Sequence, residues 1–255
     1  MKRGQCKLCL QIKDLCKESH IIPSFLYKLL AGKNSLLVFL DKIAARFRYN
    51  GEYERNILCE NCDNQIIGKL DDYAAKFIHN EFPQKLNSRI EVINGHEYLV
   101  IENDPNYDYK KYKLFLLSLL WRSSIASRPF FQQLKLSSSV EDDLRQMILS
   151  SNPGEPERYA SFVFLPPLVS APGGGRGFNT FYMPTMSPIM AKNNDWEICK
   201  FIVEGMMFFF LISAPPGTKV EPSTRKDKLL LKISTPEEQS EVHKLIFEMV
   251  RNHKR

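Results

Sequence analysis

The 255-residue chain lacks any apolar run approaching the roughly 18–20 residues that span a bilayer. Its greasiest stretch, Phe201 to Ala214, is short and holds Glu204, so it reads as buried strand. Met1-Lys2-Arg3-Gly4 leads straight into a cysteine pair without an apolar segment. A secretory signal is therefore not expected, and a cytoplasmic location without membrane contact is. No internal repeat is present, which leaves out repeat architectures. Gly173-Gly174-Gly175-Arg176-Gly177 lacks the Lys-Ser/Thr ending and the following helix of a phosphate loop, and it reads as an ordinary loop.

What is present is unevenly placed. The net charge is +6, and residues 1–89 carry 15 Lys/Arg against 10 Asp/Glu, whereas the remainder is nearly balanced. This excess mildly favours a polyanionic partner, although four thiolates on one zinc ion would offset about two charges of it. Six cysteines occur, four of them as Cys6-x2-Cys9 and Cys59-x2-Cys62. Two residues between ligands let a tight knuckle present both sulfurs to one ion. Two such pairs therefore point to a tetrahedral structural zinc site rather than to disulfides or a redox pair. Cys16 and Cys199 read as ordinary buried thiols.

Local patterns give a mixed outline. A helix is expected from about Cys62 to His79, because Ile66, Ile67, Leu70, Tyr73, Ala74 and Phe77 follow a 3.6-residue period. Ser24 is a candidate cap for a helix reaching Leu30. Asn94-Gly95 between alternating apolar runs predicts a hairpin over 90–101. Tyr109 to Arg128 reads as a long helix in which Trp121 is core and Arg122 a surface charge. Val140 to Leu149 reads as a helix capped by Ser139. Strands are expected over 162–165, parts of 178–183, 200–213 and 228–233. A closing helix from about 237 to 252 would be capped by Thr235. The fold class is accordingly α+β: a zinc-stabilised, treble-clef-like ββα module over 1–89, then a mixed α/β domain over 90–255.

Between the cysteine pairs lies Glu18-Ser19-His20-Ile21-Ile22-Pro23. The order of a Cys-x-x-Cys pair, a His-Ile-x-Pro segment and a second pair running into a helix resembles the zinc-bearing HNH (His-Me finger) endonucleases, over residues 6 to about 78. The segment Glu18 to Tyr27, together with Leu116 to Arg122, is also similar to a group of bacterial HNH-type proteins, some of them found near phage-defence genes. The resemblance implies a nuclease acting on nucleic acid, DNA foremost. His20 would be the general base, since an imidazole titrates near neutrality. Asp63 and Ser19 would occupy the positions that bind a catalytic Mg²⁺ or Mn²⁺ ion. Asn56 is the nearest match to the family's middle asparagine. Ser19 departs from the family, which places a carboxylate or histidine there. Glu18 cannot simply stand in, because neighbours on a strand point to opposite faces.

Arg46, Arg48 and Arg55 lie among Tyr49 and Tyr53, a mixture suited to phosphate contact and base stacking. His79, His96, His243 and His253 are isolated. The competing expectation is a non-catalytic zinc protein that binds nucleic acid or serves as an interaction subunit of a defence system. On either reading residues 90–255 would supply substrate choice, a homodimer surface or a partner surface.

Overall fold

The computed structural model describes residues 2–27, 37–40, 45–48, 51–80, 87–170, 176–178, 185–193, 195–203 and 205–238. The chain opens with an antiparallel hairpin, β1 (Lys2–Gln5) and β2 (Ile12–Leu15). The first cysteine pair sits in its turn. There Leu10 N–H donates to the Cys6 carbonyl, with Leu10 in the left-handed region at φ 60°. β3 (Ser19–His20) then pairs with β6 (Tyr53–Glu54), which arrives after a long excursion through β4 (Leu37–Leu40) and β5 (Ala45–Arg48). The second cysteine pair leads into α1, built of three consecutive pieces: Asn61–Ile67, Gly68–Ala74 and Ala75–Asn80. The outer two pieces are wound as π-helix, and Gly68 N–H donates five residues back to the Asp63 carbonyl. This is the helix expected from the apolar period, with Ile67, Leu70, Ala74 and Phe77 buried. The helix expected after Ser24 is a single 3₁₀ turn, Ser24–Tyr27, and residues 28–30 lie outside the described ones.

β7 (Ser88–Ile93) and β8 (His96–Glu102) form the expected hairpin. Asn94 at φ 51° and Gly95 at φ 80° make the turn that matches the twist of paired strands. The central helix, α2, spans Tyr109–Ile125, with Asp108 accepting from Lys111 N–H as its cap. From Tyr112 onward it is buried on every side, so its sequence shows almost no amphipathic period. Lys113, fully buried, donates to the carbonyls of Glu155, Pro156 (3.2 Å) and Arg158 (2.8 Å). Burial pulls its pKa down to about 8. α3 (Ser138–Leu149) is capped by Ser137, not Ser139, since the Ser137 hydroxyl accepts from Val140 N–H at 3.3 Å.

The rest of the chain builds strands: β9 (Ser161–Leu165), β10 (Leu168–Ser170), β11 (Arg176–Phe178), β12 (Thr185–Asn193), β13 (Trp196–Val203), β14 (Met206–Ser213) and β15 (Lys228–Ile233). Phe201 to Ala214 is thus the end of one strand and the whole of the next, turned at Gly205 (φ 85°), not a single strand. Nine strands join in the order β5-β4-β12-β13-β14-β9-β15-β8-β7. Within it β4 runs parallel to β12 and β15 parallel to β9. Val163, Leu165, Phe208, Phe210, Leu229 and Leu231 alternate along their strands onto one face and belong to the same buried core as the central helix.

Residues on either side of position 89 therefore share a sheet and a core. β5, at the edge, and β4 beside it join a sheet otherwise built from later residues, and the cysteine module packs on the central helix. The expected closing helix begins as foreseen. Thr235 Oγ1 accepts from Glu238 N–H, and the Glu238 carboxylate accepts from Thr235 N–H. Residues 239–252 of that helix, residues 179–183 of the expected strand, and His243 and His253 lie outside the described residues. Among the described residues no helix is long and apolar enough to cross a membrane.

Candidate metal centre and the adjoining carboxylate cluster

The two cysteine pairs meet because backbone pairing brings their carriers together. Lys7 N–H donates to the Ile57 carbonyl at 2.8 Å and Cys16 N–H to the Leu58 carbonyl at 2.8 Å, so the first knuckle lies along the segment that enters the second. Lys7 Nζ also donates to the Ile125 carbonyl at 2.8 Å, closing the C-terminus of the central helix. Arg145 of α3 donates to the Leu8 carbonyl at 3.0 Å. The sulfurs of Cys6, Cys9, Cys59 and Cys62 all lie within 4.8 Å of one another, Cys9 and Cys59 at 4.0 Å. A tetrahedron with Zn–S bonds of about 2.3 Å needs sulfurs about 3.8 Å apart. Cys59 N–H already points at Cys6 Sγ, 3.3 Å away. The four thiols fit one zinc ion. Among the described residues no other group of three or more His, Cys, Asp or Glu side chains comes as close together.

Immediately beyond Cys62, Asp63 enters a second cluster. His20 is exposed on β3, and its strand neighbour Ser19 is buried. The Ser19 hydroxyl lacks a conventional hydrogen bond, but it lies near enough to Asp63 to stabilise the charged carboxylate. Burial raises Asp63 above the usual carboxylate range. Ser19, Arg122, Cys16 and His20 each pull it back. Burial raises Asp71 as well, one α1 turn pair further on, against the pull of Arg122 and His20.

Arg122 is the unforeseen member. Far from being a surface charge, it is 1% exposed. Its Nη1 and Nη2 grip Asp71 bidentately at 2.9 and 2.8 Å. Nη1 also donates to the His20 carbonyl at 3.0 Å, while Nε and Nη2 donate to the Ser118 carbonyl and hydroxyl, each at 3.2 Å. Every donor a guanidinium has is used. Cys16, expected to be an ordinary buried thiol, is half-buried beside Asp63, and burial first and Asp63 second push its pKa up to about 11. Cys199 is buried in the core, as expected of it.

The other sequence candidates are dispersed. Asn56 holds a left-handed turn at φ 55° and donates its N–H to the Cys16 carbonyl at 3.1 Å. Arg55 is exposed, with Nη2 3.5 Å from Glu18. Glu18 itself is exposed, just before β3, whereas Ser19 is buried. Arg46 and Arg48 lie on β5, at the edge of the nine-stranded sheet. The signal that would have found Asp71 is its spacing of eight residues from Asp63, which puts both carboxylates near one face of the helix. Comparison with family models, curated proteins and solved structures found no match to the chain.

Proposed function

We propose that the protein is a zinc-stapled endonuclease hydrolysing phosphodiester bonds of DNA, with His20 as general base beside a divalent ion at Asp63. One observation carries this reading: an exposed histidine on a short strand lies near enough for its charge to act on a half-buried carboxylate in the first turn of the helix that follows the zinc ligands. The paired strands β3 and β6 followed by α1 give the ββα order that the HNH resemblance implies. The four-thiolate zinc would hold that arrangement and take no part in the chemistry. Asp63 offers a hard oxygen donor, and the buried Ser19 hydroxyl lies next to it. Mg²⁺ is commonly held by one or two carboxylates with the rest of its shell water, so this donor set suits it. Such an ion would supply charge stabilisation to the phosphate and the departing 3′ oxygen. His20 would take the proton of the attacking water.

The experiment is cleavage of single-stranded DNA, duplex DNA and RNA with Mg²⁺ or Mn²⁺, for wild type, His20→Ala and Asp63→Asn. Zinc content is measured alongside. Cleavage is expected in the wild type and lost in His20→Ala with zinc retained. Undiminished cleavage by His20→Ala would remove the histidine from the mechanism. The second reading, a zinc protein that binds nucleic acid without cutting, is favoured by the serine at position 19. It would be recognised by binding that falls steeply with salt and no cleavage with either ion.

A further inference from the structure

We infer that Arg122 is a positioning residue for His20, so that the site is completed by the central helix and not by the zinc module alone. The inference rests on the nuclease reading for its kinetic test, but its geometry stands independently. The ribbon that carries His20 is two residues on each strand, with Ser19 opposite Glu54 and His20 opposite Tyr53. So short a pair is marginal in water without packing against something else. The zinc ligands fix the segments before and after it, not the ribbon itself.

The central helix and the residues leaving it hold both strands. On β3, the His20 carbonyl accepts from Arg122. On β6, the Glu54 carboxylate accepts from both the N–H and the hydroxyl of Ser127, each at 2.8 Å. The Arg128 guanidinium lies 4.5 Å from the centre of the Tyr53 ring and 3.6 Å from Glu52. Arg122 also grips α1, through Asp71, eight residues beyond Asp63 on that same helix. It therefore fixes the distance between the strand that bears the base and the helix that bears the carboxylate. Lysine cannot do this, because it has one donor centre where the geometry needs a planar fork.

The test uses the full chain and two variants. In Arg122→Met combined with Asp71→Leu, a buried ion pair becomes apolar, a change that cores often accept without loss of stability. In Arg122→Lys the charge stays and the fork is lost. Both are expected to keep wild-type zinc content and KM while kcat falls about tenfold to a hundredfold, the range for lost supporting contacts. Wild-type kcat in the folded double variant would overturn the inference and leave the pair as packing only. Should the double variant fail to fold, Arg122→Lys decides by the same criterion. If the wild type cuts no substrate, the nuclease reading fails, and the His20 ring signal in NMR tests the positioning by itself. One sharp resonance in the wild type that broadens or shifts in either folded variant supports it. An unchanged resonance overturns it.

Discussion

The two ends of the cysteine module are held by different means. At one end four thiols converge within 4.8 Å, and a metal ion can tie the two cysteine knuckles together with a few strong bonds. At the other end, no more than about three helical turns away, His20 and α1 are tied by one arginine delivered from residue 122. A metal staple is strong but local, since it fixes only the residues bearing ligands. A buried guanidinium is weaker, yet its five donors reach three separate elements at once. The module thus has its stability at the cysteines and its precision at Arg122.

The largest effect expected is from breaking the staple. Structural zinc contributes on the order of 10 kcal/mol to folding in small zinc domains. Cys59→Ser, or a strong chelator, should release zinc and unprotect the amides of β1, β2 and α1 in hydrogen exchange. Strands β13 and β14 should stay protected. Loss of protection throughout would show that the staple supports the sheet as well.

Next in size is Arg122→Ala, which leaves the half-buried Asp71 without its partner. A cost of about 3–5 kcal/mol is expected from chemical denaturation, with zinc content unchanged. A cost below about 1 kcal/mol would mean that water reaches Asp71 freely.

Glu54→Gln should cost about 1–3 kcal/mol, because a charge-assisted hydrogen-bond set is lost. Burial opposes ionisation of Glu54, but Arg55 N–H, the Ser127 hydroxyl and N–H, and the Arg128 charge prevail and hold its carboxyl below the usual range. A depressed folded pKa contributes stability above the unfolded value near 4.3, and that stability is lost as pH falls through the folded value. The wild type should therefore lose stability on acidification faster than Glu54→Gln. Parallel acid titrations of the two would refute the assignment.

The smallest effect belongs to the sheet. Gly95→Ala meets no neighbouring atom but must adopt φ +80°, so a cost of about 1–2 kcal/mol in denaturant melts is expected. No change in zinc content should accompany it.

What was legible in the sequence follows from range. The cysteine spacing, the Asn94-Gly95 turn, the α1 period and the Thr235 cap are local, and each appears where its residues place it. The burial of Arg122 is not legible in the sequence, because its partner is 51 residues away and no apolar stripe on its helix separates inside from outside. A cap rule accepts Ser139 because neighbouring serines are interchangeable to it, and only the Ser137 hydroxyl facing Val140 N–H decides the cap. The pairing of β4 with β12 joins residues almost 150 positions apart, a distance over which composition carries no register. Cys16 looked inert because nothing in a lone cysteine announces the carboxylate that folds against it.

Lys113 is held in the manner of a bound cation. Three carbonyl oxygens from the 155–158 turn surround its ammonium as carbonyls surround a potassium ion in a binding cage. The chain thus carries its own tethered counterpart of a monovalent cation, which cannot dissociate or be exchanged. The turn beneath the central helix should accordingly be indifferent to the choice of sodium or potassium in the buffer, and Lys113 should be among the last amines to react with acylating reagents.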